Sequence, residues 1–266
     1  MELLQIDFFT FVIIFFIYCF IGWFYESTLY SIVEQRRFMN RGYFLGPYCS
    51  IYGVVILSAV YFLQDIESYI KVMIMGALLV TAIEYITSYI LEKLFDARYW
   101  DYSSYPLNIN GRVSVISSIF FGFTTMFGVK ILHPFLEGMV TKIPEKYRII
   151  TAITMLVIFI IDGIMTTVSM CNLNKKCKAI YDQLNEFVDS KFETMTDKSK
   201  FLDENVTFDK VKIDVSVKLK GMTKRFKESE MHVIRAFPYF KSTKYNDLIQ
   251  RIKITSRLKR GKDKES

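Results

Sequence analysis

The sequence has few of the residues from which metal centres and disulfide frameworks are built. Its 266 residues include only two histidines and four cysteines. The cysteines are Cys19, Cys49, Cys171 and Cys177, and they form no CxxC pair and no cluster flanked by histidine. A zinc site or a disulfide framework therefore has no support in the sequence. We expect neither a metal nor another cofactor.

The chain also lacks the GxxxxGK[ST] loop that binds nucleotide phosphates. It therefore binds no nucleotide by that route, and an ATPase that works with it would be a separate subunit. No known nucleic-acid-binding motif accompanies its basic residues, so nucleic acid is a poor fit as a partner. No nucleophile–base pair stands out either. The sequence favours a protein that is not an enzyme.

Charge is scarce in the first two-thirds of the chain and abundant in the last third. Residues 1–173 contain 11 Lys and Arg and 13 Asp and Glu, whereas residues 174–266 contain 23 and 14. The first part is apolar, and the second, which we call the tail, has few long apolar runs. This division indicates one part in lipid and one part in water.

Five apolar runs indicate an all-α, polytopic membrane bundle, because about 20 apolar residues in a helix cross the hydrocarbon layer. The predicted spans cover about residues 8–29, 44–64, 70–92, 113–132 and 149–173. We therefore divide the chain into a transmembrane bundle, residues 1–173, and a basic, helical, cytoplasmic tail, residues 174–266. The lipid bilayer is the first partner that this pattern implies.

The distribution of Lys and Arg predicts the orientation of the bundle in the cell membrane. The connections after the first and third spans and the tail are basic, and with five spans they all lie on one side. The connection after the fourth span argues the other way but is outweighed. We predict an outside N-terminus and a cytoplasmic C-terminus.

The tail has helical periodicity near its start and near its end. Apolar residues from Ile180 to Phe192 predict that the fifth span continues as an amphipathic helix. Val211–Leu219 fits a helix better than an isolated strand. Ser242 is a candidate cap for a last helix that carries Leu248 and Ile252. The tail could be a solvated appendage, bind anionic lipid, or dock a cytosolic partner.

Several polar residues lie where lipid makes them costly, since a charged side chain at mid-bilayer costs roughly 3 kcal/mol. Glu26 ends the first span, and Asp162 interrupts the fifth. Glu84, Ser88 and Glu92 follow at intervals of four in the third span, which places them on one helix face. Such residues usually face a bundle interior or a water-filled cavity.

The connections carry the counter-charges, so we predict one polar site at the cytoplasmic mouth of the bundle. Its candidate residues are Glu26, Arg41, Glu84, Ser88, Glu92, Trp100, Asp101, Asn108, Asn110 and Arg112, with Asp162 as a secondary candidate. The alternative is that arginine–carboxylate pairs only hold helices together. Asp162 could be a functional acid, a hydrogen-bonded structural acid or a protonated one.

These residues lie in segments that resemble the ABC-transporter type IV membrane proteins, a family common in Firmicutes whose members are also named ABC-transporter permeases. The matching segments are Gly22–Trp23 with Glu26, 40–53, 84–92, 100–103, 106–112, and 235–238 with Tyr245. The chain has Ser50 where the family has Pro, and Tyr99 where it has Trp. The resemblance implies a multi-pass, permease-like component, and any ATPase would be a separate subunit. Because five spans are few for half a transporter, a permease of this kind would form a homo-oligomer or recruit partners.

Three functions remain open on this evidence. In the first, the polar residues line a transport path. In the second, the chain is a membrane-embedded enzyme that acts on a lipid or polyprenyl head group with paired carboxylates as acid and base. In the third, it is a membrane scaffold or sensor, and the buried polar residues only fix the packing of the helices.

Overall fold

The computed structural model of the protein describes residues 6–31, 38–196, 221, 226–237, 239–250 and 252–253. In chain order the helices are α1 (Phe8–Phe24), α2 (Ser50–Leu63), α3 (Tyr69–Phe95), α4 (Val115–Phe127), α5 (His133–Val140), α6 (Glu145–Thr196) and α7 (Glu228–Ala236). Four short strands are β1 (Ala97–Arg98), β2 (Asn108–Ile109), β3 (Val113–Ser114) and β4 (Lys241–Ser242). The prediction of an all-α membrane bundle is confirmed.

Four helical stretches are long and apolar enough to cross a membrane. They are Phe8–Thr28, Tyr69–Phe95, Val115–Val140 and Glu145–Phe187. Two of them contain π-helical turns, Tyr25–Tyr30 after α1 and Gly128–Leu132 between α4 and α5. Their large exposed apolar side chains, such as Leu78 and Ile164, are those that a bilayer would cover.

The helix of the second predicted span is shorter than predicted. Helix α2 begins at Ser50 rather than near residue 44, and residues 38–49 before it are not helical. Pro47 explains the late start, because a proline disfavours helical backbone at the residue before it and lacks an N–H. The 14 residues of α2 rise about 21 Å, less than the thickness of the hydrocarbon layer.

The fourth and fifth predicted spans also have different starts. Val113 and Ser114 form β3, and Ser114 caps α4 by accepting a hydrogen bond from the N–H of Ser117. Helix α6 begins at Glu145, four residues before the predicted start of the fifth span, and has no break at residue 173. Its continuation beyond the apolar run agrees with the amphipathic spacing in the sequence.

The bundle has one hydrophobic core inside the apolar helices and another at the end where α3 stops, which we call the tail end. The first core is built largely from α1 and α2, with Ile14, Ala59 and Val60 fully buried. The second joins the C-terminal part of α3 and the extension of α6 to the tail, and includes Leu173 and Phe240. The tail is therefore packed against the bundle through a hydrophobic core.

Two antiparallel strand pairs complete the tail end. β2 and β3 form a hairpin between α3 and α4, and β4 of the tail pairs with β1, with Ala97 opposite Ser242. The Oγ atom of Ser242 also accepts a hydrogen bond from the N–H of Tyr245, which lies just before the helical residues 246–250. The cap position of this helix is therefore Tyr245 rather than Ser242. Val211–Leu219, for which we predict a helix, lies outside the described residues.

Candidate functional site

The polar face of α3 points into the protein at its tail end. Glu84 and Ser88 are buried, with 7% and 4% of their surface exposed. Glu92, two turns beyond Glu84, is partly exposed. The regular spacing of the three residues places them on adjacent turns of the same helix face. Each is then met by a side chain from the connection between α3 and α4.

Arg112 binds this face from the hairpin. Its Nη2 atom lies 2.6 Å from Oε2 of Glu92, and its Nη1 atom donates to Oγ of Ser88 at 3.2 Å. The guanidinium group also lies over the rings of Tyr85 and Tyr89, at 5.6 and 5.4 Å from their centres. The charge of Arg112, which is buried, is therefore paired, hydrogen-bonded and covered by aromatic rings.

The hairpin turn fixes the position of Arg112. Asn110 and Gly111 have φ angles of 54° and 68°, a conformation that favours asparagine and glycine. The backbone N–H of Arg112 donates to the carbonyl oxygen of Ile109 at 3.0 Å and closes the turn. Positive φ at both central residues is what tight hairpin turns require. The Asn-Gly sequence thus places the arginine against α3.

Two more side chains bind the hairpin, and one of them joins it to α3. Nε1 of Trp100 donates to the carbonyl oxygen of Arg112 at 2.9 Å. Nε of Arg98 donates to Oε2 of Glu92 at 2.8 Å, and its Nη1 atom donates to the carbonyl oxygen of Asn110 at 3.2 Å. Both arginines therefore share one carboxylate. We call Ser88, Glu92, Arg98 and Arg112 the arginine network.

Glu84 lies two turns of α3 before Glu92 and is bonded differently. Its Oε1 atom accepts a hydrogen bond from the hydroxyl of Tyr102 at 3.1 Å. Its Oε2 atom is buried and has no hydrogen-bond partner among the described residues. Its carboxyl group also lies close enough to that of Glu26 for their charges to interact. Glu84 is thus a buried acid of which only one oxygen is hydrogen-bonded to the residues that the structure describes.

Glu26 belongs to a second polar group, on the π-helical turn that follows α1. Its Oε2 atom lies 3.5 Å from Nε of Arg41, and its Oε1 atom accepts a hydrogen bond from the hydroxyl of Tyr52 at 2.8 Å. The backbone N–H of Arg41 donates to Oγ of Ser27 at 3.0 Å. Gly22 allows this arrangement, because a Cβ atom there would overlap the ring of Tyr52.

Asp162, the secondary candidate, is hydrogen-bonded through both of its carboxylate oxygens. Its carboxylate accepts hydrogen bonds from the N–H groups of Leu45 and Gly46, at 3.1 and 2.8 Å, and from the hydroxyls of Tyr48 and Thr166. These donors come mainly from the non-helical segment before α2. The carboxylate therefore provides the acceptors that these backbone N–H groups would find within a helix.

Two further predicted site residues serve the connection and the tail. Oδ2 of Asp101 lies 2.5 Å from Nζ of Lys241 in β4, and Oδ1 accepts hydrogen bonds from the N–H and hydroxyl of Ser103. Burial raises the pKa of Asp101, but these hydrogen bonds outweigh it and bring the pKa to about 2. The side chain of Asn108 bonds to backbone atoms of Tyr105 and Gly111.

The structure brings some of the predicted site residues together and gives others different partners. The structure brings Ser88, Glu92 and Arg112 together, with Trp100 and Asn110 as supports and Glu84 between them and Glu26. Asp101 pairs with Lys241 of the tail, and Asn108 bonds to backbone atoms of the connection. Tyr52 and Tyr102 were missed as partners of Glu26 and Glu84, and their sequence spacing gives no signal for these contacts.

The sequence model of one protein family, described as Putative ABC-transporter type IV, matches residues 13–167. The match covers more than half of the chain. The chain belongs to this family. No curated protein and no solved structure matches it.

The family match covers every candidate site residue from Glu26 to Asp162. It ends inside α6, so α7 and β4 lie outside it. Together with the apolar helices, membership in the ABC-transporter type IV family places this chain among multi-pass membrane proteins. The polar residues at the tail end of this chain therefore belong to a membrane-embedded bundle.

Proposed function

We propose that this chain is the membrane-embedded component of an ABC-type transporter and that Glu84 is part of its cargo-binding site. ATP would be hydrolysed by a separate ATPase subunit, because the chain has no phosphate-binding loop. Membership in the family supports the general class. The site itself is supported by the geometry around Glu84.

The observation that carries the proposal is that Oε2 of Glu84 is buried without a hydrogen-bond partner in the described part of the chain. A buried polar atom without a partner is costly, so it is rare unless a ligand or water completes it. The carboxyl group of Glu26 lies nearby and adds repulsion between like charges. If Glu84 had only a structural role, we would expect both of its carboxylate oxygens to be hydrogen-bonded, as both oxygens of Asp162 are.

The arginine network gives this acid a rigid neighbourhood. Arg112 is held by Ser88 and Glu92, and its backbone is held by Trp100. A binding site needs side chains whose positions are fixed by their own neighbours. We therefore assign Arg112 and Glu92 a positioning role, and Glu84 a binding role.

The charges of the tail support an inside orientation of the tail end. The tail contains 23 Lys and Arg, and basic connections normally stay in the cytoplasm. In this orientation Glu84 would be reached from the cytoplasmic side, where an ATPase subunit would also bind. A bundle of this size would complete a transport path as a homo-oligomer or with another membrane subunit.

An enzyme acting on a lipid or polyprenyl head group is the weaker alternative. Such an enzyme would need a cation free to bind phosphate, but Arg98 and Arg112 are both bound to Glu92.

The scaffold or sensor alternative has one observation in its favour. The tail is attached to the bundle by strand pairing and by the second hydrophobic core.

The proposal is tested with inverted membrane vesicles from cells that produce the wild-type chain, Glu84→Gln or neither. ATP is added, and the small molecules and lipids that accumulate in the vesicles are compared by untargeted mass spectrometry. We expect at least one ATP-dependent species with the wild type and at least a tenfold smaller amount with Glu84→Gln. Glu67→Gln, in the exposed turn before α3, is the matched control and should behave as the wild type.

Two measurements keep the result interpretable. The amount of folded protein is compared by thermal unfolding, because a loss of Glu84→Gln from the membrane would imitate a loss of transport. The complex purified in mild detergent is assayed for ATP hydrolysis. No ATP-dependent species in vesicles that contain folded wild type, or an unchanged species with Glu84→Gln, would refute the proposal.

A further inference from the structure

A histidine of the tail binds the non-helical chain before α2. His232 lies in α7, and its Nε2 atom lies 3.2 Å from the carbonyl oxygen of Gly42 and 3.0 Å from that of Phe44. Because carbonyl oxygens only accept hydrogen bonds, this nitrogen carries the hydrogen and donates to both of them. We call residues 40–46 the bridging segment, since they connect the tail with the polar groups of the bundle.

Helix α7 is itself held against the extension of α6. The carboxylate of Glu230, of which 1% is exposed, binds Nζ of Lys176 at 2.7 Å. The Oγ atoms of Ser169 and Ser229 lie 3.0 Å apart and share a hydrogen bond. Helix α7 also contributes side chains to the second hydrophobic core. A displacement of the tail from α6 would therefore move His232 and withdraw its N–H from the bridging segment.

The bridging segment also binds the polar group at the end of the first span. The N–H of Arg41 donates to Oγ of Ser27 at 3.0 Å, and Nε of Arg41 lies 3.5 Å from Oε2 of Glu26. Arg41 directly precedes Gly42, whose carbonyl oxygen His232 binds. The tail thus holds the backbone next to the arginine that pairs with Glu26.

The ion pair of Arg41 and Glu26 determines the charge beside Glu84. The carboxyl group of Glu26 lies close enough to that of Glu84 for their charges to interact. Arg41 offsets the charge of Glu26, and without it the two acids would repel each other more strongly. The position of the bridging segment therefore sets the electrostatic environment of the candidate site.

Side chains, rather than helical backbone bonds, hold the bridging segment in place. Nδ2 of Asn40 donates to the carbonyl oxygen of Leu45 at 2.9 Å. Its Oδ1 atom accepts hydrogen bonds from the N–H of Gly42 at 3.1 Å and from Nε1 of Trp23 at 2.7 Å. The loss of one such side chain can shift the segment without unfolding a helix. The bond from Trp23 also makes this indole a reporter of the position of the segment.

We propose that His232 is a positioning residue of the Glu84 site and that the tail regulates this site through it. With the tail in place, His232 holds the bridging segment and keeps Arg41 on Glu26. When the tail is displaced, Arg41 leaves Glu26 and the site loses its arrangement of charges. This inference rests on the proposed function, because it names a regulation of the same site.

Fluorine NMR of the full-length protein labelled with 5-fluorotryptophan tests the physical link. The chain has two tryptophans; Trp23 reports on the bridging segment, and Trp100 reports on the hairpin. We expect His232→Phe to shift the Trp23 resonance by more than its line width and to leave the Trp100 resonance in place. His232→Gln should restore the wild-type spectrum, because a glutamine amide can donate from a similar position.

Ser229→Ala is the matched control on α7, because it removes a hydrogen bond to α6 and none to the bridging segment. It should leave both resonances unchanged. No shift of Trp23 in His232→Phe, the same shift in Ser229→Ala, or a shift of both tryptophans in His232→Phe would overturn the inference. Thermal unfolding shows whether His232→Phe is folded, and His232→Ala replaces it if it is not.

Transport by the membrane vesicles tests the positioning role. We expect His232→Phe to lower the ATP-dependent species at least fivefold and His232→Gln to recover most of this loss. Arg41→Gln should also lower it, and His232→Phe should have no further effect in the Arg41→Gln protein, because the histidine acts through the arginine. A further fivefold loss in the double variant would show that His232 does not act through Arg41.

The outcomes separate this inference from the proposed function. Transport that depends on Glu84 but is the same in the wild type and in His232→Phe would overturn regulation by the tail and leave the proposed function intact. No ATP-dependent species with the folded wild type would overturn the proposed function. A shift of Trp23 that is specific to His232→Phe would then still show that the tail holds the bridging segment.

Discussion

Asp162, in the apolar part of α6, accepts a hydrogen bond from the backbone N–H of Gly46 at 2.8 Å, across 116 positions of the chain. The same carboxylate accepts from the N–H of Leu45. On the other side of this segment, Nε2 of His232 in α7 lies 3.0 Å from the carbonyl oxygen of Phe44. An interruption before a short membrane helix is therefore stabilised by a neighbouring helix and by the tail.

Replacement of Asp162 by alanine should be among the most destabilising single changes in the bundle. It leaves the N–H groups of Leu45 and Gly46 and the hydroxyl of Tyr48 without their acceptor. Unpaired buried donors cost roughly 1–3 kcal/mol each, so we expect a loss of about 3 kcal/mol or more. Unfolding in mixed micelles measures it.

Thr166→Val is the control for this variant. It removes one hydrogen bond to Asp162 and leaves the backbone donors satisfied, so its effect should be about 1 kcal/mol. Equal effects of Asp162→Ala and Thr166→Val would show that the carboxylate does not stabilise the segment before α2.

The composition of the spans was enough to predict the bundle, but not the break before α2. Residues 44–49 are largely apolar and aromatic, so hydropathy alone assigns them to the span. Pro47 was the signal of the break, because it disfavours helix at the preceding residue. The hydrogen bonds from Leu45 and Gly46 to Asp162 could not be predicted, since they depend on how α6 packs against a segment more than 100 residues earlier.

The candidate site was predictable on α3 and much less so elsewhere. The spacing of Glu84, Ser88 and Glu92 places them on one face whatever the tertiary structure. By contrast, the pairing of Asp101 with Lys241 depends on two strands of only two residues each, and such short strands have no periodic pattern. Charge alone predicted Asp101 as a site residue, and its ion pair with Lys241 of the tail had no signal in the sequence.

Gly22 should tolerate no side chain. A Cβ atom at this position would overlap the ring of Tyr52, so Gly22→Ala must displace the tyrosine whose hydroxyl binds Glu26. Overpacking of this kind costs about 1–3 kcal/mol. Gly138→Ala in α5 is the matched control, because nothing lies within 4 Å of its Cβ position.

The two glycine variants should shift stability in opposite directions. Alanine is the better helix former by up to about 1 kcal/mol, and at Gly138 this gain is not opposed by a clash. Thermal unfolding of the purified variants measures both effects. A Gly22→Ala protein as stable as Gly138→Ala would contradict the close packing of α1 against Tyr52.

Arg112 and Glu92 should show a clear energetic coupling. Their ion pair has an N–O distance of 2.6 Å, with 8% and 20% of the side chains exposed. A cycle of Arg112→Ala, Glu92→Ala and the double variant should give a coupling of about 1–3 kcal/mol, the upper range for residues within one network. Unfolding of the four proteins in mixed micelles supplies the free energies.

The pair of Lys244 and Asp96 is the control for this cycle. Its N–O distance is 2.7 Å, but 59% and 44% of the side chains are exposed. Exposed pairs contribute little because water and ions screen them, so the corresponding cycle should show little coupling. Similar coupling in both cycles would mean that burial does not strengthen the arginine network.

The attachment of the tail should weaken only in acid. The pKa of Asp101 is lowered from its ordinary value of 3.8 to about 2, because the hydrogen bonds from Lys241 and Ser103 outweigh the effect of burial. The folded state therefore binds the proton less readily than the unfolded state. The stabilisation is complete above about pH 4 and is lost as the pH falls towards 2.

Cleavage of the tail by pepsin, which is active in this range, should become faster as the carboxylate of Asp101 is protonated. Asp101→Asn keeps the shape of the side chain without its charge, so the tail of this variant should be cleaved at a rate that follows only the activity of pepsin itself. Identical pH profiles for the wild type and Asp101→Asn would show that the strand pairing of β1 and β4, rather than the ion pair, attaches the tail.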